Sequence, residues 1–215
     1  MKVRDNAQNE QKKEKKGSRQ NLILAIAALL VMGGIGIYSR LPISTGQPFK
    51  FAIGTAVLDP RTAHGQDFFD NGFEVKEFKP MDQGDVLNPD DKIGTKSPVI
   101  SCNISLDGVK LGNVILKRTS DYGSAAKKCK ADSITIHLED DNKDMVRVEG
   151  IEEEPVLASD LTMERLKAAL GEYTDSGASM GSSDNTDYTW KRKHYSLTVS
   201  FEPDDTLTSV EIEYN

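Results

Sequence analysis

The sequence predicts an α+β protein: an N-terminal single transmembrane helix followed by two helix-plus-antiparallel-β-sheet units. Three observations predict it. An uncharged apolar run, Leu22 to Tyr38, follows a tail rich in lysine and arginine. Two short helical segments, around 62–71 and 162–171, each stop at a glycine. Behind each helix, stretches that alternate apolar and polar residues with period two read as half-buried strands.

The tail carries Lys2, Arg4, Lys12, Lys13, Lys15, Lys16 and Arg19 against Asp5, Glu10 and Glu14. At ~1.5 Å rise per residue the apolar run reaches about 26 Å, just short of a ~30 Å hydrocarbon core. Asn21, Ser39 and Tyr38 suit its interfaces. The positive-inside rule then places the tail in the cytoplasm and the rest of the chain beyond a cell membrane crossed once, with lipid contacted through Leu22 to Tyr38. A cleaved signal peptide is the rival reading, but Gly34-Ile-Gly36 is a poor cleavage site. The Lys12 to Lys16 cluster is read as a topology determinant and not as a nucleic-acid patch. The expected organisation is a basic tail (1–20), a signal-anchor (21–40), a Pro/Gly/Ser-rich stalk (41–61), a first α+β unit (62–151) and a second (152–215).

Charge narrows the partners. Residues 1–40 hold eight of the 27 basic and three of the 34 acidic residues, leaving 41–215 with 19 against 31 and a net charge of −12. Such a body repels nucleic acid and admits cationic partners. Cys102 and Cys129 are candidates for one disulfide across a 28-residue loop, worth about 3–4 kcal/mol on chain-entropy grounds. The alternative is two buried free thiols.

In the first unit Phe49 to Val57 offers a strand, and Thr62 to Asn71 a helix bearing Phe68 and Phe69 that Gly72 stops. Ile100, Cys102, Ile104 and Leu106 alternate, Asp107-Gly108 turns the chain, and Val109 to Arg118 returns. Ser133 to Leu138 alternates again, Asp144 to Gly150 adds a strand, and Glu152 to Pro155 marks the boundary. In the second unit Thr162 caps a helix, Glu164 sits in its first turn, and Met163, Leu166 and Leu170 share a face up to Gly171. A polar loop from Thr174 to Asp187 precedes a strand opening at Tyr188, then Tyr195 to Phe201, a turn at Pro203 to Thr206, and Ser209 to Tyr214. The two units match in order. The first spans 61 residues from Gly72 to Ser133 and the second 38 from Gly171 to Ser209, so the first carries an insertion.

Candidate chemistry is sparse. Gly177-Ala-Ser179-Met-Gly181 has the nucleophile-elbow pattern, with His194 and Asp184 or Asp187 downstream. It lacks the strand–turn–helix setting that exposes such a serine. Asp140 to Asp144 begins like a calcium loop, but Met145 stands where the turn needs glycine and Ile151 where a bidentate glutamate closes the shell. His64, His137 and His194 have no zinc spacing, and no phosphate loop or dinucleotide fingerprint appears, so neither metal nor cofactor is expected. Tyr188, Trp190 and Tyr195 are candidates for an aromatic binding platform, core packing being the alternative.

The run from Leu161 to Tyr214 combines the Thr162-capped helix, Gly171-Glu-Tyr-Thr174, Tyr188-Thr-Trp190 and two alternating strands around an Asp turn. Together with Lys127 to Ile136, it resembles tandem helix-plus-sheet repeats of exported Gram-positive bacterial proteins. Its layout is similar to β-lactamase inhibitory protein and to small outer-membrane barrel-assembly lipoproteins. The resemblance covers about residues 95–215 and departs at Glu172-Tyr173, where proline is frequent, and in the first-unit insertion. It implies protein binding and no catalytic residues. The expected function is therefore a membrane-anchored, non-enzymatic extracytoplasmic module that binds an envelope protein or peptide. A serine hydrolase built on Ser179 and an accessory subunit of a membrane complex are the alternatives.

Overall fold

The computed structural model describes residues 47–79, 84–179 and 184–215. In chain order these form β1 (Lys50–Ile53), β2 (Ala56–Leu58), α1 (Gly65–Asp70), β3 (Phe73–Glu77), β4 (Lys92–Ile93), β5 (Val99–Leu106) and β6 (Val109–Lys117). There follow β7 (Ser124–Ala125), β8 (Lys130–His137), β9 (Val146–Glu149), β10 (Val156–Leu157), α2 (Met163–Leu170), β11 (Asp175–Ala178), β12 (Thr186–Arg192), β13 (Tyr195–Phe201) and β14 (Leu207–Tyr214).

The expected α+β class is corrected: the described chain is predominantly antiparallel β. The physical reason lies in which elements fill the core. α1 has six residues and buries Gly65 and Phe68, and α2 has eight and buries Leu166 and Leu170. Strands supply most of the other buried apolar side chains. Nor does each half keep a sheet of its own. One sheet runs β11-β12-β13-β14-β8-β6-β5-β3, antiparallel at every pairing. The last strand of each half meets at its centre, where Ile134 faces Ile212 and Ile136 faces Val210. A smaller antiparallel sheet runs β10-β9-β1-β2, with β9 and β1 at its centre and β10 alone drawn from beyond residue 151. Phe49, Phe51 and Ile53 are at most 1% exposed, so the expected stalk supplies core residues from Phe49.

The expected helix in the second half forms. Thr162 Oγ1 accepts the Arg165 amide at 3.2 Å, and Gly171 ends the helix at φ +81°. α1 is shorter than expected at its start. The amides of Thr62 and Ala63 are drawn into a turn on the Asp59 carbonyl, at 2.9 and 2.7 Å, and His64 takes the cap position.

The apolar side of the large sheet receives the other elements. Phe68 of α1 packs edge-on against Phe73, with ring centroids 5.7 Å apart. Trp190 Nε1 donates to the Gly171 carbonyl after α2 at 2.9 Å. Tyr195 donates its hydroxyl to Asp59 at 2.8 Å, at the end of β2. Arg192 Nη1 donates to the carbonyls of Gly150 (2.7 Å) and Gln47 (3.1 Å), with its guanidinium 4.3 Å from the Phe49 ring centre.

The membrane placement is also corrected. Among the described residues no helix is long and apolar enough to cross a membrane. At ~1.5 Å per residue the longer one reaches only about 12 Å against a ~30 Å core. Leu22 to Tyr38, on which the signal-anchor and the single-pass, tail-in arrangement rested, lies outside the described residues.

Gly112, at φ +153°, stands between Ile104 and Ile136 where β5, β6 and β8 meet, and a β-carbon there would collide with the Thr135 carbonyl oxygen. Gly112→Ala is expected to destabilise the fold by about 2–4 kcal/mol through strain and overpacking. Urea unfolding of the full chain measures it, and an unchanged midpoint would contradict this close approach.

Candidate functional site

Because successive strand side chains point to opposite faces, the register that buries Ile134 and Ile212 aligns polar residues on the other side of the large sheet. One row crosses all eight strands: Asp175 opposes Thr189, which opposes Thr198, then Glu211, Thr135, Asn113, Asn103 and finally Lys76. The seven members from Thr189 to Lys76 are half-buried and Asp175 is exposed. A parallel row runs Asp187, Ser200, Ser209, His137. α1, α2 and the smaller sheet reach the opposite, apolar side through the contacts described above.

Hydrogen bonds hold this polar side in place. Thr189 and Thr198 share a hydroxyl contact at 3.0 Å. Ser209 donates to Ser200 at 2.9 Å, and Ser200 to Asp187 at 2.5 Å. Asn113 Nδ2 lies 3.0 Å from His137 Nε2. An amide nitrogen can only donate there, so this ring nitrogen accepts and the imidazole is neutral. Burial, then the Lys110 charge, hold His137 below its ordinary range, while Glu139 opposes them.

Glu211 sits near the middle of the sheet. Burial raises its carboxyl above the usual glutamate range, and Glu213 two residues along adds to this. Hydroxyls of Ser133 and Thr135 on β8 lower it, and Asp187 on β12 raises it. No cation enters this balance, so a desolvated carboxyl lies among hydroxyls and other acids.

The residues singled out in the sequence fall elsewhere. Trp190 is 3% and Tyr195 9% exposed. Tyr173 packs edge-on against Tyr188 and Trp190, with centroids 5.0 and 6.2 Å apart. The three candidate platform aromatics, Tyr188, Trp190 and Tyr195, are packing residues on the apolar side. Cys102 and Cys129 are buried free thiols, without the expected bridge. β6 runs between β5, which carries Cys102, and β8, which Cys129 precedes. Burial pushes the Cys102 thiol up to about 12, with Glu77 and Cys129 adding to it, and burial raises Cys129 too. Neither is poised as a nucleophile.

Ser179 and His194 are not brought together. The Ser179 amide bonds the Asn185 carbonyl before β12 begins, and His194 lies in the turn after β12 ends. β12 is seven residues long, roughly 23 Å at ~3.3 Å per residue. Met180 and Gly181 of that motif lie outside the described residues.

The calcium-like loop is occupied by its own asparagine. Asn142 is fully buried. Its Oδ1 accepts the Glu139 amide at 3.0 Å, and its Nδ2 donates to the carbonyls of Lys110 and His137 at 2.8 Å each. Asp140 pairs with Lys143 at 2.9 Å. Among the described residues no group of three or more His, Cys, Asp and Glu could hold a metal ion.

Sequence reasoning missed the polar row because it belongs to no single segment. Alternation placed Thr135, Thr198 and Glu211 on polar faces, but only the β8–β14 pairing aligns them. Searches against protein-family models, curated proteins and solved structures found no match.

The folded state binds the Glu211 proton more tightly than the unfolded chain does. The stability this contributes is present below about pH 4.5, the ordinary glutamate value, and is lost as pH rises through the folded value. Glu211→Gln is therefore expected to melt higher than wild type at pH 7, with the advantage shrinking below pH 4.5. Circular-dichroism melts from pH 4 to 8 measure this, and a variant no more stable than wild type at pH 7 would oppose it.

Removing the Asn142 side chain is expected to lower stability by about 2–3 kcal/mol, since buried partners lose their bonds. Asn142→Ala melts that match wild type would show the plug to be dispensable.

Proposed function

We propose that the chain is a non-enzymatic binding module that docks a protein or peptide on the polar side of its eight-stranded sheet, without nucleic acid or cofactor. The observation that carries this reading is the single row of polar residues crossing every strand. Eight strands at ~4.8 Å spacing make a face about 34 Å wide, and strands of about seven residues make it about 24 Å long. That is about 800 Å², the area one partner contributes to a stable protein–protein interface.

The chemistry of the face supports the same choice. Threonine, serine and asparagine offer donors and acceptors on short side chains, and strand pairing has already fixed their backbones. A partner therefore meets polar groups with little flexibility left to lose. The carboxylates of Asp187, Glu211 and Glu213, with the net charge of −12 over 41–215, favour neutral or cationic partner surfaces over anionic ones.

A photo-crosslinking amino acid at Thr135, mid-face, is expected to trap a partner in the cells that produce the protein. The same probe at Val57, 54% exposed on β2 of the smaller sheet, is not. Excess unlabelled chain should compete the adduct away, and Thr198→Lys, two strands along the same row, should abolish it. Equal adducts from both positions, or an adduct indifferent to Thr198→Lys, would refute docking on this face.

A further inference from the structure

On an acidic body, a run of basic residues lies at the end of the large sheet. Lys191, Arg192, Lys193 and His194 are consecutive at the β12–β13 turn. A cleft of about 320 Å³ opens there, lined by Lys191, Arg192, Lys193, Tyr195, Ser196, Glu213 and Asn215. Lys191, Ser196 and Glu213 lie side by side on the polar face of the large sheet.

Three observations say what the cleft would take. Lys191 and Lys193 have no ion-pair partner among the described residues. Among the described residues Arg192 pairs with no carboxylate either. Its Nη1 spends its bonds on carbonyls, and its Nη2 is buried with no acceptor. The neutral lining also offers one hydroxyl proton. Ser196 Oγ accepts from Asn215 Nδ2 at 2.8 Å, which leaves its own proton free to donate. The one acidic side chain on the wall is Glu213.

We propose that this cleft is a binding site for an oxyanion, the phosphate or carboxylate group of a small acidic ligand. Lys191 and Lys193 supply charge, Ser196 supplies a hydroxyl donor, and Arg192 holds the turn through its carbonyl bonds and adds a fixed positive field. Charge-assisted hydrogen bonds of this kind are about twice as strong as neutral ones. Glu213 competes with the ligand and sets a ceiling on affinity. The cleft lies at one end of the polar face, and oxyanion binding is read on the isolated chain without a docking partner. Loss of the Thr135 crosslink would leave that binding intact, and a chain that binds no oxyanion could still crosslink from Thr135.

Isothermal titration of the full chain with inorganic phosphate and with citrate, each against chloride at matched ionic strength, tests this and separates the two oxyanion sources. Saturable binding of at least one oxyanion is expected. Lys191→Gln with Lys193→Gln should weaken it at least tenfold, and Lys191→Arg with Lys193→Arg should keep it. Glu213→Gln should tighten it. Both lysines are exposed, so melting temperatures near wild type check that each variant is folded. Heats that never saturate, or saturable binding that survives the double glutamine variant, would overturn the site. So would a Glu213→Gln variant that binds more weakly.

Discussion

The pairing of β8 with β14 is the constraint on which the rest of the molecule depends. Ile134, Ile136, Val210 and Ile212 meet there with none of their surface exposed. Burying such a side chain is worth about 1.5–3 kcal/mol, so the seam is a substantial part of what holds the halves together. Its second effect is on phase. A slip of one residue would turn every side chain of one half to the opposite face. The polar row would break at Glu211–Thr135, and apolar residues would meet hydroxyls across the junction. Apolar cohesion on one side thus fixes which polar groups are neighbours on the other.

A second, shorter join lies in the smaller sheet, where β10 of the second half pairs with β9 of the first. Contacts from the second half reach into the first: Tyr195 to Asp59, and Arg192 to Gln47 and the Phe49 ring. Burial lowers the Arg192 pKa, which measures how unfavourable its charge is in that position. Carbonyl dipoles and an aromatic face offset part of this. A leucine would avoid the penalty but could not tie Gly150, Gln47 and Phe49 to the end of β12.

What the sequence revealed and what it hid divide along the range of the interactions. Alternation is local, and so the strands from Val99 to Lys117 and from Tyr195 to Tyr214 were legible with their turns. The cap at Thr162 and the stop at Gly171 are local too. β11 escaped because Asp175-Ser-Gly-Ala has no apolar member that alternates, all four residues being exposed. The aromatics at 188, 190 and 195 were ambiguous because residue type does not say which face a strand turns inward. Register decides that: Trp190 opposes Leu197, which opposes Ile212, in the apolar row. Asn142 was hidden for a related reason. An Asp-rich turn reads as solvated, and only the approach of the Lys110 and His137 carbonyls makes one of its residues a buried plug. The contiguous polar side was the least legible feature, since its row runs from Lys76 to Asp175 through seven separate strand pairings.

Edges and faces are the two ways a sheet can meet a partner, and this sheet is protected at its edges. Unpaired strand edges invite added strands unless something blocks them. On β11 the Asp175 carboxylate accepts the neighbouring Ser176 amide at 2.9 Å, which occupies a backbone donor. At the other end, Val86 bridges Lys76 of β3, the Leu87 amide bonds the Val75 carbonyl at 2.8 Å, and Lys79 pairs with Asp85 at 2.9 Å. Both outer strands are thus engaged in local contacts that an incoming strand would have to displace. The polar face carries no such blocks: its hydroxyls keep protons or lone pairs beyond the bonds they make to each other. Strand addition would also read mainly backbone, whereas eight registered side chains can discriminate among partners. A fold that guards its edges and lines up its hydroxyls is arranged for recognition across the sheet.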